Sequence, residues 1–151
     1  MVKVAIAYHS GYGHTQKQAE AVAAGAKAAG AEVNLISVAN VSEADWAILD
    51  AADAIIFGSP TYMGNVSGVF KVFADATSKA WFSQKWKNKI AGGFTVSGSL
   101  SGDKLSTLQQ FSILAAQHSM VWVGLAEMPP VSDVPHIRGP ELINRVGSFL
   151  G

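Results

Sequence analysis

Five short apolar segments constrain the fold of this chain more than any other feature. They lie at residues 2–8, 33–38, 54–57, 90–96 and 120–126, and helical patterns separate them. The third segment is apolar without alternation, which is typical of a strand that is covered on both faces. Strands of this kind between helices predict an open, doubly wound parallel α/β sheet.

The intervening stretches have the apolar spacing of amphipathic helices. The first is expected over residues 15–29 and to end near Gly30. A pattern at residues 42–45 resembles a capping box that opens a short second helix. A long third helix and a fourth helix follow. The residues that define the stripes are Ala19, Val22, Ala23 and Ala26, then Val66, Val69, Phe70 and Phe73, then Phe111, Leu114 and Ala115.

Length and composition narrow the function. The chain has 151 residues, 11 basic and 11 acidic side chains, and no cysteine. This length predicts one domain over residues 1–151. The absence of cysteine rules out a disulfide scaffold, a thiolate metal site and a cysteine nucleophile. Balanced charge argues against nucleic acid as a partner and against an acidic electron carrier.

Other simple features point to a cytoplasmic protein without a metal. The first residues lack the pattern of a signal peptide, and no apolar stretch approaches the roughly 20 residues that span a bilayer. The histidines lack metal-ligand spacing, and His9 and His136 are expected to be structural. A lysine cluster is either a solvated helix end and loop or a weak attractor for an anionic dinucleotide; its members are Lys79, Lys85, Lys87 and Lys89.

The loop after the first strand, residues 10–15, has the features of a phosphate site. It leads into a helix whose free N–H groups suit a phosphate, and its glycines allow close approach. It lacks the Lys of a Walker A loop, and Gln16 stands where a dinucleotide-binding fingerprint has its third glycine. Two interpretations remain: a cation-free site for a terminal phosphate, and an ordinary strand-to-helix turn.

The loops after the third and fourth strands, residues 59–65 and 97–102, are short and rich in glycine and hydroxyl groups. All three loops are expected at the carboxyl edge of the sheet, where ligands bind. The second loop can present backbone groups and Tyr62 to a flat heterocycle, although Tyr62 also fits a surface aromatic. Together the loops predict a site for a mononucleotide with a large planar head, and FMN is the natural candidate.

Four motifs in order resemble the flavodoxin-like family, and most of all its WrbA-type NAD(P)H:quinone oxidoreductases. They lie at residues 8–15, 58–68, 75–81 and 116–120, and the likeness covers about residues 2–126. The resemblance implies a five-stranded parallel sheet in the order 2-1-3-4-5. It also implies FMN as cofactor, NADPH or NADH as electron donor, a quinone as acceptor, and a homodimer or homotetramer.

The resemblance also implies a role for each matching residue. Trp81 and His118 would line the pocket where nicotinamide and quinone bind in turn, partly from a neighbouring subunit. His118 would donate a hydrogen bond or proton to the quinone, although it also fits the buried stripe of the fourth helix. The FMN phosphate would be held by Ser10, Tyr12, Gly13, His14 and Thr15; the flavin ring would be contacted by Pro60, Thr61, Tyr62, Met63, Gly64 and Asn65; and Ser97, Gly98, Ser99 and Gly102 would complete the third loop.

The chain departs from the family pattern in three places. The third loop has Leu100-Ser101 where the family is richer in Thr and Gly, and Gln117 replaces the first His of a pair. The C-terminal helix is expected to be short, at residues 141–150, or missing. Three other functions stay open: a single-electron carrier of the flavodoxin type, a flavin-binding domain without catalysis, and a receiver-like domain, which would need acids after the first strand.

Overall fold

A computed structural model describes residues 1–129, 144 and 146–151 of the chain. Helices and strands alternate along it, as the apolar segments predict. In chain order the elements are β1 (Lys3–Tyr8), α1 (His14–Ala28), β2 (Glu32–Ser37), α2 (Glu43–Ala51), β3 (Ala54–Tyr62), β4 (Asn65–Val66), α3 (Gly68–Ala76), α4 (Ser78–Phe82), β5 (Ile90–Val96), α5 (Lys104–Gln117) and β6 (Val121–Trp122).

The sheet has the predicted topology. Its strands lie in the order β2-β1-β3-β5-β6, and every neighbouring pair in this series is parallel. The order is the predicted 2-1-3-4-5 once the two-residue antiparallel strand β4 is left out of the count. The prediction of a flavodoxin-like doubly wound sheet is confirmed.

Both faces of the sheet are covered, which is why β3 has no polar alternation. On one face, the rings of Phe57, Phe70 and Phe111 pack together, with the centroids of Phe70 and Phe111 4.9 Å apart. On the other face, Ala19 of α1 and Phe94 of β5 pack with the side chains of β1. A Cβ on residue 58 would collide with the Phe94 ring, so this packing requires glycine there.

Two helix boundaries lie where the local sequence predicts them. The side chain of Ser42 accepts the N–H of Asp45 while the Asp45 carboxylate accepts the N–H of Ser42, so the predicted capping box is present. The first helix ends near the predicted Gly30, whose φ of 87° is the left-handed conformation that glycine adopts most easily.

Three boundaries differ from the prediction. Val66 belongs to β4 instead of the third helix, because Ser67 caps that helix by accepting the Phe70 N–H. The long third helix is interrupted at Thr77, whose hydroxyl donates to the Ala74 carbonyl. The last strand is also shorter than residues 120–126. The predicted helix at 141–150 is not formed at its described residues, 144 and 146–150; its other residues and His136 lie outside the described ranges.

The parallel sheet defines two edges that we use below. The carboxyl edge is where β1, β3 and β5 end, and it carries residues 9–13, the turn between β3 and β4, and residues 97–103. The amino edge is where these strands begin, and the C-terminal ends of α2, α3 and α5 reach it because each helix runs back along the sheet. In the described part of the chain, no helix is long and apolar enough to cross a membrane.

Candidate functional site

The loop between β1 and α1 forms a cradle of unpaired donors. The Ser10 Oγ accepts the N–H groups of Gly13 and Gln16, both at 3.1 Å, and so holds the loop in a tight curve. Gly13 has a φ of 87°, and a Cβ there would meet nothing within 4 Å. The first turn of α1 contains no acid. Four N–H groups make no hydrogen bond to any described residue, and they belong to Gly11, Tyr12, His14 and Thr15.

This cradle fits a phosphate. Its N–H groups and the helix dipole favour an anion, and no carboxylate opposes one. Because the Ser10 oxygen already accepts two N–H groups, its own proton is free to be donated to a ligand. The donor set therefore suits the phosphate of FMN without any lysine in the loop.

A tight hairpin stands beside the cradle. Strand β3 runs to Tyr62 and returns as β4 through Met63 and Gly64, whose φ values are 47° and 81°. Two left-handed residues are what a type I′ hairpin turn requires. A Cβ on Gly11 would lie 2.5 Å from the Tyr62 hydroxyl, and the Tyr12 and Tyr62 rings meet edge to face at 6.3 Å. The hairpin thus contacts the phosphate loop.

Three threonine hydroxyls join the hairpin to the third loop. The Thr61 Oγ1 lies 2.8 Å from the Oγ1 of Thr95 and 2.8 Å from the Oγ1 of Thr107. We call these residues the threonine cluster. Thr107 is fully buried, so its hydroxyl depends on this contact. The cluster connects the ends of β3 and β5 with the first turn of α5, beneath the two loops expected to hold a flavin ring.

The third loop closes around a lysine. The Lys104 Nζ donates to the Ser97 Oγ and to the Ser99 carbonyl, and the Ser97 Oγ donates to the same carbonyl at 3.2 Å. Gly102 has a φ of 54°. The sequence pattern did not point to Lys104, because the lysine lies two residues beyond the third loop.

Another hydroxyl pair supports the hairpin from below. The Ser59 Oγ accepts the Ser67 N–H at 2.9 Å, and the Ser67 Oγ lies 2.8 Å from the His9 Nδ1. Burial lowers the pKa of His9 below its usual value of 6.5. His9 therefore has the structural role that the sequence predicts, as a neutral ring that ties the end of β1 to the start of α3.

His118 lies at the amino edge and is turned into the protein. It is 4% exposed, and its ring packs on Trp86 with centroids 4.5 Å apart. The Nε2 lies 2.8 Å from the Thr77 hydroxyl, whose single proton goes to the Ala74 carbonyl at 2.7 Å. The Nε2 therefore donates to Thr77. The buried Nδ1 has no partner among the described residues.

This arrangement keeps His118 neutral. Burial lowers its pKa, and its one ring proton in the neutral form is used by Thr77. In this conformation His118 completes the buried stripe of its helix, which is the second of the two roles that the sequence predicts for it. Its neighbour Gln117 is exposed instead, and it lines the grooves on both sides of His118.

The amino edge also carries an open groove of about 330 Å³ between α3, α4 and α5. Trp81, Gln117 and His118 line it, together with Asp75 and Ile113. Trp81 is 49% exposed and Phe82 is 86% exposed. A site with two such aromatics has apolar surface that a monomer in water leaves uncovered.

The structure brings the three predicted loops together and places Trp81 and His118 elsewhere. Helix α5 has 14 residues and is about 21 Å long. It separates the third loop at its start from His118 at its end. Within one chain, the predicted catalytic pair therefore lies at the opposite edge from the predicted cofactor residues. In the described ranges, no three His, Asp or Glu side chains are grouped as metal ligands.

Comparison with known proteins identifies the family of the chain. Residues 6–128 match the model of the NADPH-dependent FMN reductase family. The chain is 46% identical over its full length to flavodoxin FldP of Pseudomonas aeruginosa, covering 79% of that protein. It is 38% identical to an NAD(P)H dehydrogenase (quinone) of Geotalea uraniireducens, over 94% of this chain and 79% of that protein.

Solved structures agree with the fold. A flavodoxin, WrbA-like protein from Agrobacterium tumefaciens has 57% sequence identity and a TM-score of 0.73, over 82% of this chain and 77% of that chain. A flavodoxin of Pseudomonas aeruginosa with 22% identity and a TM-score of 0.67 shares the fold. The chain therefore belongs to the NADPH-dependent FMN reductase family, and its predicted flavodoxin-like, WrbA-type character is confirmed.

Proposed function

We propose that this chain is an FMN-dependent NAD(P)H:quinone oxidoreductase, with residues 1–151 forming one FMN-binding domain. Membership of the FMN reductase family supports an FMN-dependent oxidoreductase, and relatives named NAD(P)H dehydrogenase (quinone) support the acceptor. The observation that carries the proposal is the cation-free cradle on the same edge as the hairpin and the third loop. When bound, FMN supplies hydride acceptance and the return of two electrons.

The phosphate loop binds by donation alone. The Ser10 hydroxyl and the unpaired loop N–H groups surround the phosphate, and Thr15 adds a hydroxyl at the start of α1. The left-handed Gly13 lets the backbone turn its N–H groups inward. These groups are positioned before the ligand arrives, which reduces the entropy cost of binding.

The hairpin and the third loop orient the ring. Pro60, Thr61, Tyr62, Gly64 and Asn65 present backbone groups and an aromatic side chain along one side, and residues 97–102 approach from another. The threonine cluster holds these loops at a constant separation, because Thr61 bonds to both Thr95 and Thr107. These loops would hold the ring at its edges, where a nicotinamide and a quinone would have to reach it in turn.

A second copy of the chain completes the pocket. We propose a homodimer or homotetramer in which the groove at the amino edge of one chain faces the loops of another. The length of α5 prevents Trp81 and His118 from reaching the loops of their own chain. The exposed Trp81 and Phe82 supply the apolar surface that such an interface buries.

The first experiment is a visible spectrum of the purified protein. We expect a yellow protein that bleaches with NADPH or NADH and recovers its colour with benzoquinone. Comparing the two donors at equal concentration identifies the preferred one. Because donor and acceptor share one pocket, initial rates should give parallel double-reciprocal lines. A colourless protein that takes up no added FMN contradicts the proposal.

A pair of serine variants tests the cradle. Ser10→Ala removes a hydroxyl that would bind the phosphate, and the Kd for FMN should rise about 10- to 100-fold, because hydrogen bonds to charged groups contribute about 1.5–3 kcal/mol. Ser42→Ala removes a helix-capping hydroxyl away from the loops, and its Kd should stay within twofold of the parent. Flavin fluorescence measures both. Equal Kd values in the two variants would contradict the assignment.

Mixed oligomers test the shared pocket. Ser10→Ala chains lack the cradle hydroxyl, and Trp81→Ala chains lack the groove aromatic. If these residues come from different chains, mixing the two variants after partial dissociation produces some pockets in which both residues are wild type. The activity of the mixture should then exceed the average of the two variants. If each chain forms its own pocket, the mixture has only the average activity.

A single-electron carrier is the second candidate, and the 46% identical relative named a flavodoxin favours it. Balanced charge, with 11 basic and 11 acidic residues, favours the oxidoreductase, because carriers of this type tend to be strongly acidic. Photoreduction of the purified protein separates the two. Accumulation of one-electron-reduced flavin supports the carrier, and direct passage to the fully reduced form supports the reductase.

A further inference from the structure

A half-buried cation is built into the third loop. Lys104 is the first residue of α5, and its side chain turns back so that the Nζ donates to the Ser97 Oγ and the Ser99 carbonyl. The ammonium group has three donors, and these two contacts leave one for a ligand. The third loop therefore curls around the lysine, which stays half-buried.

This position is unfavourable for a cation by itself. The N-terminus of a helix carries partial positive charge, which disfavours lysine in the first turn. In the part of the chain that the structure describes, no carboxylate lies within ion-pairing distance of Lys104. Its neighbour Asp103 instead faces the hairpin, where its Oδ2 would lie 3.9 Å from a Cβ on Gly64. A negative charge beside the loop would offset the unfavourable helix dipole and would supply the counter-charge that Lys104 lacks.

The other two loops supply no fixed charge, and in the third loop the Asp103 carboxylate lies beside the hairpin. Residues 10–15 and 59–65 contain no lysine, arginine or acid, and His14 is their one titratable imidazole. The N–H groups of the first loop would bind the phosphate, and that loop follows β1, whereas the third loop follows β5. Lys104 thus supplies the lysine nearest to these three loops, where the flavin ring is expected to lie.

We propose that the Lys104 ammonium, held by Ser97 and Ser99, stabilises the negative charge that the flavin ring gains on two-electron reduction. This inference rests on the proposed function. Transfer of a hydride to the neutral ring adds two electrons and one proton, so the ring gains one unit of negative charge, and the nicotinamide leaves oxidised. A nearby cation favours the reduced form by Coulomb attraction in a site of reduced dielectric.

The ammonium charge would act at one point of the catalytic cycle. A cation beside the reduced ring raises the midpoint potential of the two-electron couple. Return of the two electrons and the proton to a quinone, which takes a second proton from water, removes the charge and completes the cycle. Lys104 itself keeps its proton throughout.

The test measures the midpoint potential of the loaded protein against a redox dye under chemical reduction, so no NAD(P)H turnover is needed. Lys104→Gln keeps a donor for Ser97 or Ser99 but removes the charge. At a fixed potential, its ratio of reduced to oxidised flavin should fall about tenfold, equal to about 30 mV for a two-electron couple. Lys104→Arg should retain most of the parent ratio.

Two further measurements separate charge from loop structure. The Kd of oxidised FMN should change less than threefold in Lys104→Gln, because the oxidised ring is neutral. Lys27→Gln removes an equal charge from the far end of α1 and should leave the ratio unchanged. A lysine that only shapes the loop would weaken FMN binding in Lys104→Gln and leave the potential unchanged, which would overturn the inference.

Failure of this inference and failure of the proposed function give different results. A wild-type protein that takes up no FMN overturns both. A yellow wild-type protein whose potential matches that of Lys104→Gln overturns only the role of Lys104. A shifted potential in Lys104→Gln with no quinone turnover in the parent supports Lys104 and contradicts the proposed acceptor.

Discussion

The two edges of the sheet treat their polar groups in opposite ways. At the carboxyl edge, the cradle leaves four N–H groups without a partner in the described chain. At the amino edge, the Asp50 carboxylate is paired at both oxygens, because it accepts from Lys85 at 2.6 Å and from the Trp86 indole at 2.9 Å, whereas the buried His118 Nδ1 has no partner among the described residues. Lys89 donates to the carbonyls of Asp50 and Ala52 at the end of α2.

Exposed apolar side chains occur at both edges. Trp81 and Phe82 stand exposed at the amino edge, and Tyr12, Met63 and Leu100 stand exposed at the carboxyl edge. Unpaired donors on an exposed loop are satisfied by water until a polar ligand replaces it, but exposed aromatics are covered only by another apolar surface. The unpaired donors of the carboxyl edge therefore suit a small anionic ligand, and the apolar side chains at both edges are surface that a flat ring or a second chain can cover.

The largest expected effect tests whether the buried Trp86 stabilises the amino edge while Trp81 contributes little to stability. Trp86 is fully buried and Trp81 is 49% exposed. Trp86→Ala should reduce the free energy of unfolding by about 3–5 kcal/mol, because a large cavity replaces a packed ring. Trp81→Ala should cost less than about 1 kcal/mol in the same urea titration. Similar losses in both variants would mean that the edge is not divided into a buried anchor and an open groove.

The second prediction compares buried threonines at the two edges. Thr107→Val breaks the threonine cluster, and Thr77→Val breaks the contact with His118; each should reduce the free energy of unfolding by about 1–2 kcal/mol. Only Thr107→Val should also raise the Kd for FMN, by about three- to tenfold, because the two loops lose their connection. Thr107→Ser should restore the affinity. An equal rise in Kd for Thr77→Val would remove the distinction between the edges.

The third prediction uses pH. Burial lowers the pKa of both His9 and His118, so the unfolded chain takes up protons first as pH falls below about 6.5. Stability should therefore be full above pH 6.5, fall as the pH decreases below that value, and level off below the folded-state pKa values.

Substitution assigns this pH dependence to the two edges. His118→Gln should reduce the slope of unfolding free energy against pH by removing the contribution of the amino edge, and His9→Gln should remove that of the carboxyl edge. Chemical denaturation at several pH values measures both. A slope that neither substitution changes would show that other groups control the acid response.

The smallest expected effect concerns backbone strain. Met63 and Gln84 have φ values of 47° and 51°, a region that L-residues rarely adopt. Asparagine tolerates it better, so Met63→Asn and Gln84→Asn should each stabilise the protein by about 0.5 kcal/mol in denaturant titrations. Only Met63→Asn should alter the Kd or the spectrum of bound FMN. A loss of stability in either variant would contradict the strain argument.

Much of the fold could be predicted because it depends on local patterns. The strands were identified from apolar segments, and the capping box at Ser42 needs only two side chains three residues apart. The two errors have different causes. Val66 continues a helical stripe in sequence but pairs with Thr61 in the hairpin, so a contact between strands decided its place. Thr77 ends a helix through a local bond from its hydroxyl to the preceding turn.

The candidate site also has some features that the sequence predicts and others that it does not. Glycines and hydroxyls at the ends of β1, β3 and β5 were enough to predict the cradle and its two partner loops. The threonine cluster and the bond from Lys104 to the third loop were not predictable, because their partners lie far apart in sequence or require a side chain to turn back. Which residues bind FMN in solution remains a prediction that the variants above test.

The sequence by itself determined the alternation of strands and helices, the place of the phosphate loop and the family, because spacing and residue type suffice for these. Only the tertiary structure decided that the loops and the Trp81–His118 groove occupy opposite edges. The physical reason is direction: each helix must run back along the parallel sheet, so residues at its two ends are separated by its full length.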